Sequence, residues 1–288
     1  MEINSINDLQ TKLPKGIDTK NEVYFRGHAD NTYNLVPSIY RENRWICNED
    51  IMIQDFLLMC PDDFSNTNSC FDKLVKMQHY DFPTRLLDIT SNPLVALYFA
   101  CISEKDKDGE LIIFTIPKNE IKYSGSDTVS VISNISHMDS QFQVSNEHSS
   151  IYKSDKYGQQ YHHFISQEKP YFINKINVSD MQKVLCVKPK LDNRRIIRQE
   201  GAFLIFGMKD SKRDCAEIPQ NYKYNPTFKI PKKSKDALLE ELEVLGITTA
   251  KLFPEIDSVA KFLKERKQYT ETEFKKEDDN DWLGGFIG

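Results

Sequence analysis

The sequence predicts an α+β protein, one domain in which a mixed or antiparallel sheet forms the core and helices pack against it. Three observations carry that prediction. Short, continuously apolar runs bounded by turn residues recur at 109–117 (GELIIFTIP), 183–189 (KVLCVKP) and 201–207 (GAFLIFG), as buried strands do. Segments with helical spacing stand around them, among them EDIMIQDFLLMC (49–60) and DALLEELEVLGI (236–247). A length of 288 residues, 39% hydrophobic and 28% charged, suits a globular protein with a sizeable core, enough for one large domain or two small ones.

The elements follow in chain order. Residues 1–20 are a lead-in. Val23-Tyr24-Phe25 starts a strand that ends in Arg26-Gly27-His28, a loop follows, and Pro37 and Ser38 mark the next element. Helices are expected at 49–60 and 71–80. A polar loop then runs to a helix start, where Ser91 or Asn92 can cap free backbone N–H groups and Pro93 suits the first helical position. Leu94, Leu97, Tyr98 and Cys101 recur at helical spacing and their neighbours are apolar too, so that helix is expected to be buried. Residues 118–182 are more polar and read as an irregular insertion, facing a substrate or lying on the surface. The polar link KLDNRRIIRQE separates the last two apolar strands, and helices at 236–247 and 254–267 close a domain spanning 21–267. The charged, then glycine-rich tail 268–288 is expected to be flexible.

The bulk numbers exclude several classes. A net charge of −5 gives no global basic field for a nucleic-acid backbone. Six scattered cysteines without a C-x-x-C pair argue against a zinc ribbon and a dense disulfide framework, and fit reduced thiols in a cytoplasm. No run approaches the roughly 20 apolar residues of a membrane span, and MEINSINDLQ has neither the basic flank nor the apolar run of a signal peptide, so the expected location is cytoplasmic. His148, His162 and His163 invite a metal reading. Neighbouring side chains on a strand diverge and no acidic partner sits at helical spacing, so no metal is expected. There is no G-x-S-x-G elbow and no phosphate-binding G-x-x-x-x-G-K-[ST] loop.

The chemically dense stretch is MQHYDFPTRLLDITSNPLVALYFAC (77–101). Gln78, His79, Tyr80, Thr84, Arg85 and Asp88 crowd against the buried helix. Polar groups at the capped start of such a helix suit an anionic or hydroxyl-rich ligand. Structural readings stand beside the functional ones: an Arg85–Asp88 ion pair that shapes the loop, a hydrogen-bonded structural His79, and Arg26 paired with a buried acid such as Asp88. NRRIIRQ (193–199) is one local basic patch that can touch a nucleotide or nucleic acid.

YFRGH (24–28), LVPSIYR (35–41), MQHYDFPTRLLDITSNPLVALYFA (77–100), VKPKLDNRRIIRQEGAFLIF (187–206) and LGITTAKLFPEIDSVAKFL (245–263) together resemble the FRG domain family, named for the motif seen here as Phe25-Arg26-Gly27. Asp81 stands where the family leads one to expect glycine, and Ile89 where tryptophan is common. The blocks are also similar to the ADP-ribosyltransferase layout. On that resemblance the first block supplies Arg26 or His28, the second Thr90-Ser91 before a helix, and the third Gln199-Glu200 entering a strand. A carboxylate near the ribose would steady the cationic sugar formed as nicotinamide leaves, and an arginine or histidine would hold the diphosphate or the ribose.

The resemblance therefore implies an ADP-ribosyltransferase-like fold and NAD as cofactor. Arg26, Glu200 and Gln199 would be catalytic. Arg26, Gly27, His28, His79, Tyr80, Thr84, Arg85, Asp88 and Thr90 would bind the cofactor. It further implies a macromolecular acceptor, protein or nucleic acid, a toxin role in anti-phage defence, and a partner or antitoxin protein. The alternatives are a non-catalytic nucleotide sensor and a protein-interaction module of a defence system.

Overall fold

Where the apolar runs pair, they form a seven-stranded sheet in the order β4-β7-β8-β2-β1-β3-β9. The computed structural model describes residues 1–14, 19–144, 150–152, 156–173, 175–222 and 227–255. Its strands are β1 (Asn21–His28), β2 (Leu86–Thr90), β3 (Gly109–Pro117), β4 (Lys122–Tyr123), β5 (Ser150–Tyr152), β6 (Lys175–Asn177), β7 (Val184–Lys188), β8 (Gly201–Phe206) and β9 (Phe228–Ile230). The helices are α1 (Ile6–Lys12), α2 (Asn43–Cys47), α3 (Glu49–Met59), α4 (Pro61–Phe64), α5 (Cys70–His79), α6 (Pro93–Cys101), α7 (Asp127–Asn134), α8 (Lys156–Glu168), α9 (Val178–Met181), α10 (Arg194–Arg198), α11 (Lys235–Val244) and α12 (Thr249–Leu252). Only β4–β7 is parallel in the large sheet, so it is mixed and mainly antiparallel, while β5 and β6 make a separate antiparallel pair. The expected α+β class holds.

Residue alternation sends each strand's side chains to two faces. On one face, Phe25, Leu111 and Ile113 pack with α6, α11 and Leu9 of α1. Further along that face, Leu86, Leu185, Phe203 and Ile205 pack with α5, α7, α8 and α9. On the other face, Tyr24, Leu87, Ile89, Ile112 and Leu204 form a third cluster with Ile218 and Tyr222. The helical face thus carries two blocks of helices, and β1 and β2 lie where they meet.

Helix α6 begins as its cap residues predict. The Asn92 side chain accepts the Leu94 N–H at 2.9 Å, and Pro93 holds the first helical position. The helix lies directly on β1. A Cβ at Gly27 would stand 1.9 Å from the Ala96 carbonyl oxygen and 2.7 Å from the Ala100 nitrogen. The glycine of the Phe25-Arg26-Gly27 motif is therefore needed for close approach of helix and strand.

Four expectations change. LLDIT (86–90), expected in a polar loop, is the strand β2, paired along its whole length with β8. The 118–182 insertion is neither irregular nor superficial among its described residues. Val129, Ile132, Ile135, Tyr161, Ile165 and Met181 are buried in the helical cluster over β7 and β8. The polar link before β8 contains α10. The lead-in adds structure too, since Ile3 donates its N–H to the Lys229 carbonyl at 2.9 Å and is fully buried. Helix α11 stops at Val244, and Gly246 takes the left-handed conformation (φ 75°) that ends it. The expected helix at 254–267 and the tail 268–288 lie outside the described residues from 256 onward.

Candidate functional site

Strands β1 and β2 share a single residue pair, Phe25 with Thr90. Beyond it they part, and Arg26 reaches across the gap. Its Nη1 donates to the Asp88 carbonyl oxygen at 2.6 Å, and its Nε donates to His28 Nε2 at 3.0 Å. A cavity of about 740 Å³ opens here. Both faces of the sheet contribute to it: Arg26, His28, Leu87 and Ile89 from one, Asp88, Thr90 and α6 from the other. The end of α5 adds Gln78 and His79, and the segment before β8 adds Arg195 and Gln199.

The electrostatics are positive at the parting. Burial pulls Arg26 down to about 10, opposed by the charge of Asp88 and reinforced by Arg41, a second guanidinium on the cavity wall. Among the described residues Arg26 forms no ion pair. His28 is 3% exposed, and burial, with Arg26 and Arg41 beside it, lowers it to about 3, so it is neutral at physiological pH. Because its Nε2 accepts from Arg26, its proton sits on Nδ1, which has no hydrogen-bond partner among the described residues.

Asp88 faces α5. The Gln78 Nε2 donates to its Oδ2 at 2.8 Å, while Gln78 Oε1 accepts from the Thr84 hydroxyl at 2.7 Å. On the next wall, His79 Nε2 meets Glu255 Oε1 at 3.0 Å, and burial lowers the histidine below its ordinary value. Arg195 donates to the His79 carbonyl at 2.8 Å and stacks its guanidinium 4.6 Å from the centre of the Phe253 ring. The Thr90 hydroxyl donates to the Gln199 carbonyl at 2.6 Å and accepts the Asn92 N–H at 3.0 Å, so it is already engaged. The Gln199 Nε2 donates to the Leu252 carbonyl at 3.2 Å.

The fold thus brings Arg26, Gly27, His28, His79, Asp88, Thr90 and Gln199 to one cavity. Four other residues singled out from the sequence do not line it. Arg85 is fully buried and bonds Glu49 through Nε at 2.9 Å, with Lys212 also on that carboxylate at 3.3 Å. Its partner is therefore Glu49, and the Arg85–Asp88 pair does not form. Nor does Arg26 pair with the Asp88 carboxylate; it takes the carbonyl. Thr84 is buried behind Gln78. Tyr80 is 57% exposed at the end of α5. Glu200, at φ 47°, turns outward, where its carboxylate accepts from Asn92 Nδ2 at 2.8 Å and Ser91 Oγ at 3.3 Å.

Arg41 is a cavity residue that sequence reasoning passed over, although it ends the LVPSIYR block. Asp81, at the position where glycine was expected, has φ 56°, the left-handed region that glycine adopts at least cost. Ile89, at the tryptophan position, is buried and lines the cavity. Arg195 turns to the cavity, while Arg194 and Arg198 are exposed. His162 and His163 lie on helix α8 and not on a strand; the first is buried and the second exposed. Among the described residues no group of three or more His, Cys, Asp or Glu side chains is arranged for a metal, and no helix is long and apolar enough to cross a membrane. His148 lies outside the described residues.

Residues 21–109 match the family model described as the FRG domain. The match spans β1, β2, α6 and the start of β3, and stops before the 187–206 and 245–263 segments. Neither the comparison with curated proteins nor that with solved structures finds a match.

Proposed function

Because the chain carries an FRG domain over residues 21–109, we propose that the cavity between β1 and β2 binds a nucleotide through its phosphates, with NAD as the ligand, and that the domain acts as an ADP-ribosyltransferase-like effector on a macromolecule. The observation that carries this reading is Arg26, a half-buried guanidinium on a cavity wall with no carboxylate paired to it among the described residues. Partial burial without a paired counter-ion carries a desolvation cost for the charged form. An anionic ligand relieves that cost, and the planar fork of arginine matches phosphate oxygens. Arg41 adds a second positive group. Trp45, Phe82 and Phe99 supply apolar wall for a base or ribose. The volume falls within the roughly 300–1,000 Å³ of ligand clefts.

In the proposed transfer the bond between nicotinamide and ribose C1′ breaks and nicotinamide leaves with the bonding electron pair. The sugar becomes cationic, and a nucleophile of the acceptor then bonds to C1′. Kinship with the family supports a cytosolic toxin in anti-phage defence, held in check by a partner protein.

One observation favours the non-catalytic sensor as a second reading. Glu200, the acid of the third block, has its carboxylate on Asn92 and Ser91 outside the cavity.

Isothermal titration of the purified chain with NAD tests the binding. Micromolar affinity that Arg26→Ala removes supports it, and absence of heat with NAD and with ADP-ribose overturns it. Nicotinamide released in the presence of cell extract separates enzyme from sensor, and growth arrest on expression, relieved by Arg26→Ala, would extend the reading to a toxin.

A further inference from the structure

We infer that Asp88 is the catalytic carboxylate of this cavity, held in place by Gln78 and Thr84 acting as positioning residues. The inference rests on the transferase reading above and supplies the group that Glu200 leaves missing.

Asp88 stands on β2 between Leu86 and Thr90, on the helical face of the sheet, and is the exposed residue of that strand. Among the described residues three acids line the cavity: Glu42, Asp81 and Asp88. Glu42 is committed to Arg44, whose Nε lies 2.5 Å from Oε2. Asp81 sits on the left-handed turn after α5, and its side chain forms no hydrogen bond or ion pair among the described residues. Asp88 is fixed by a chain of hydrogen bonds that begins in the core.

The polarity of that chain is determined. The Thr84 Oγ1 accepts the Leu86 N–H at 3.1 Å, which leaves its hydroxyl proton for Gln78 Oε1 at 2.7 Å. A carboxylate only accepts, so the amide must present Nε2 to Asp88 Oδ2, at 2.8 Å. Thr84 is fully buried, and its N–H donates to Ser38 Oγ at 3.2 Å. The relay is thus anchored inside and ends at the cavity. Oδ1 has no hydrogen-bond partner among the described residues, and no cation there lies within ion-pairing distance of the carboxylate. Arg26 engages the carbonyl of the same residue.

This arrangement suits a developing positive charge. One oxygen is oriented by the protein, the other is open to ligand, and the charge is not neutralised in advance. Phosphates at Arg26 would bring the ribose to the same stretch of β2. As the C1′–N bond breaks and nicotinamide departs with the electron pair, the carboxylate faces the cationic ribose. The acceptor nucleophile then bonds to C1′ and releases its proton to solvent.

Nicotinamide release and NAD affinity, measured on the full chain with Asp88→Asn, Asp88→Glu and Gln78→Met, test the assignment. Asp88→Asn is expected to bind NAD within about threefold of the parent while release falls about 10²–10³-fold. Asp88→Glu should recover part of the rate, and Gln78→Met should lower release with affinity unchanged, since it frees the carboxylate to rotate. Melting temperatures close to the parent's identify variants that remain folded. Release by Asp88→Asn at the parent rate overturns the assignment and leaves the transferase reading standing, and so does a loss of affinity that accounts for the whole loss of rate. A parent chain that binds NAD but releases no nicotinamide overturns the transferase reading, and this assignment with it.

Discussion

The Arg26 Nη1 donates to the Asp88 carbonyl at 2.6 Å, just where β1 and β2 stop pairing. A closed antiparallel ladder would satisfy that carbonyl with a backbone N–H of β1. Here a side chain does so, and the gap it bridges becomes the floor of the cavity. With Nε on His28, two of the five guanidinium N–H groups are engaged among the described residues, and the others can serve a ligand.

Replacing Arg26 by lysine keeps the charge but loses the fork that serves Asp88, His28 and a phosphate together. Affinity for NAD or ADP-ribose should fall by about 1.5–3 kcal/mol, the usual worth of a hydrogen bond to a charged group. Titration calorimetry checks this. Arg26→Ala should in addition lower the melting temperature, because the Asp88 carbonyl loses its donor.

Gly27→Ala tests the packing of α6. The new Cβ would meet backbone atoms of Ala96 and Ala100, which cannot rotate away, so helix and strand must separate. Overpacking of this kind costs about 1–3 kcal/mol or more. Urea denaturation should show the shift. A variant as stable as the parent would mean that α6 does not press on β1 as described.

What the sequence revealed tracks how local each signal was. The Asn92 cap and Pro93 announced α6 because capping is decided within one turn, and GELIIFTIP was legible because a long apolar run bounded by Gly109 and Pro117 needs no partner to identify it. LLDIT was hidden: it is short, carries Asp88 at its centre, and is a strand because β8 pairs with it from over a hundred residues away. The helices between 118 and 182 were masked by serines that are themselves buried, such as Ser130, Ser133 and Ser136. At the site the residue types were recognised before their directions. Arg85 looked like a ligand contact because its partner Glu49 is 36 positions earlier. Glu200 looked catalytic because adjacency to β8 does not reveal which way a left-handed residue turns.

His28 makes stability depend on pH. Its folded value of about 3 lies below the ordinary 6.5. Between those values the unfolded chain takes up a proton that the folded chain does not. Stability is therefore fully present above about pH 6.5 and declines as the pH falls, by up to about 1.4 kcal/mol per unit for one group. Melting temperatures of the parent and of His28→Gln from pH 7 to 4.5 should diverge in slope, the variant falling less steeply. Equal slopes would show that His28 protonates freely.

The last prediction concerns the network under the start of β2. Glu49, Arg85 and Lys212 are each at most 1% exposed, and the Glu49 carboxylate receives Arg85 Nε and Nη2 as well as Lys212. Arg85 also donates to the Phe206 carbonyl at 3.0 Å, tying α3 to the ends of β2 and β8. Removing only the acid strands two buried cations, so Glu49→Ala should cost about 3–5 kcal/mol. Burial alone would raise the Glu49 carboxyl, but Arg85 and Lys212 outweigh it and hold it below the ordinary carboxylate range. Its contribution is thus present above that range and is lost as the pH falls through the lower folded value. Since none of the three residues lines the cavity, a folded Glu49→Gln chain should bind NAD as the parent does while unfolding at lower denaturant. Reduced affinity without reduced stability would place this network in contact with the ligand after all, and chemical denaturation run beside calorimetry distinguishes the two.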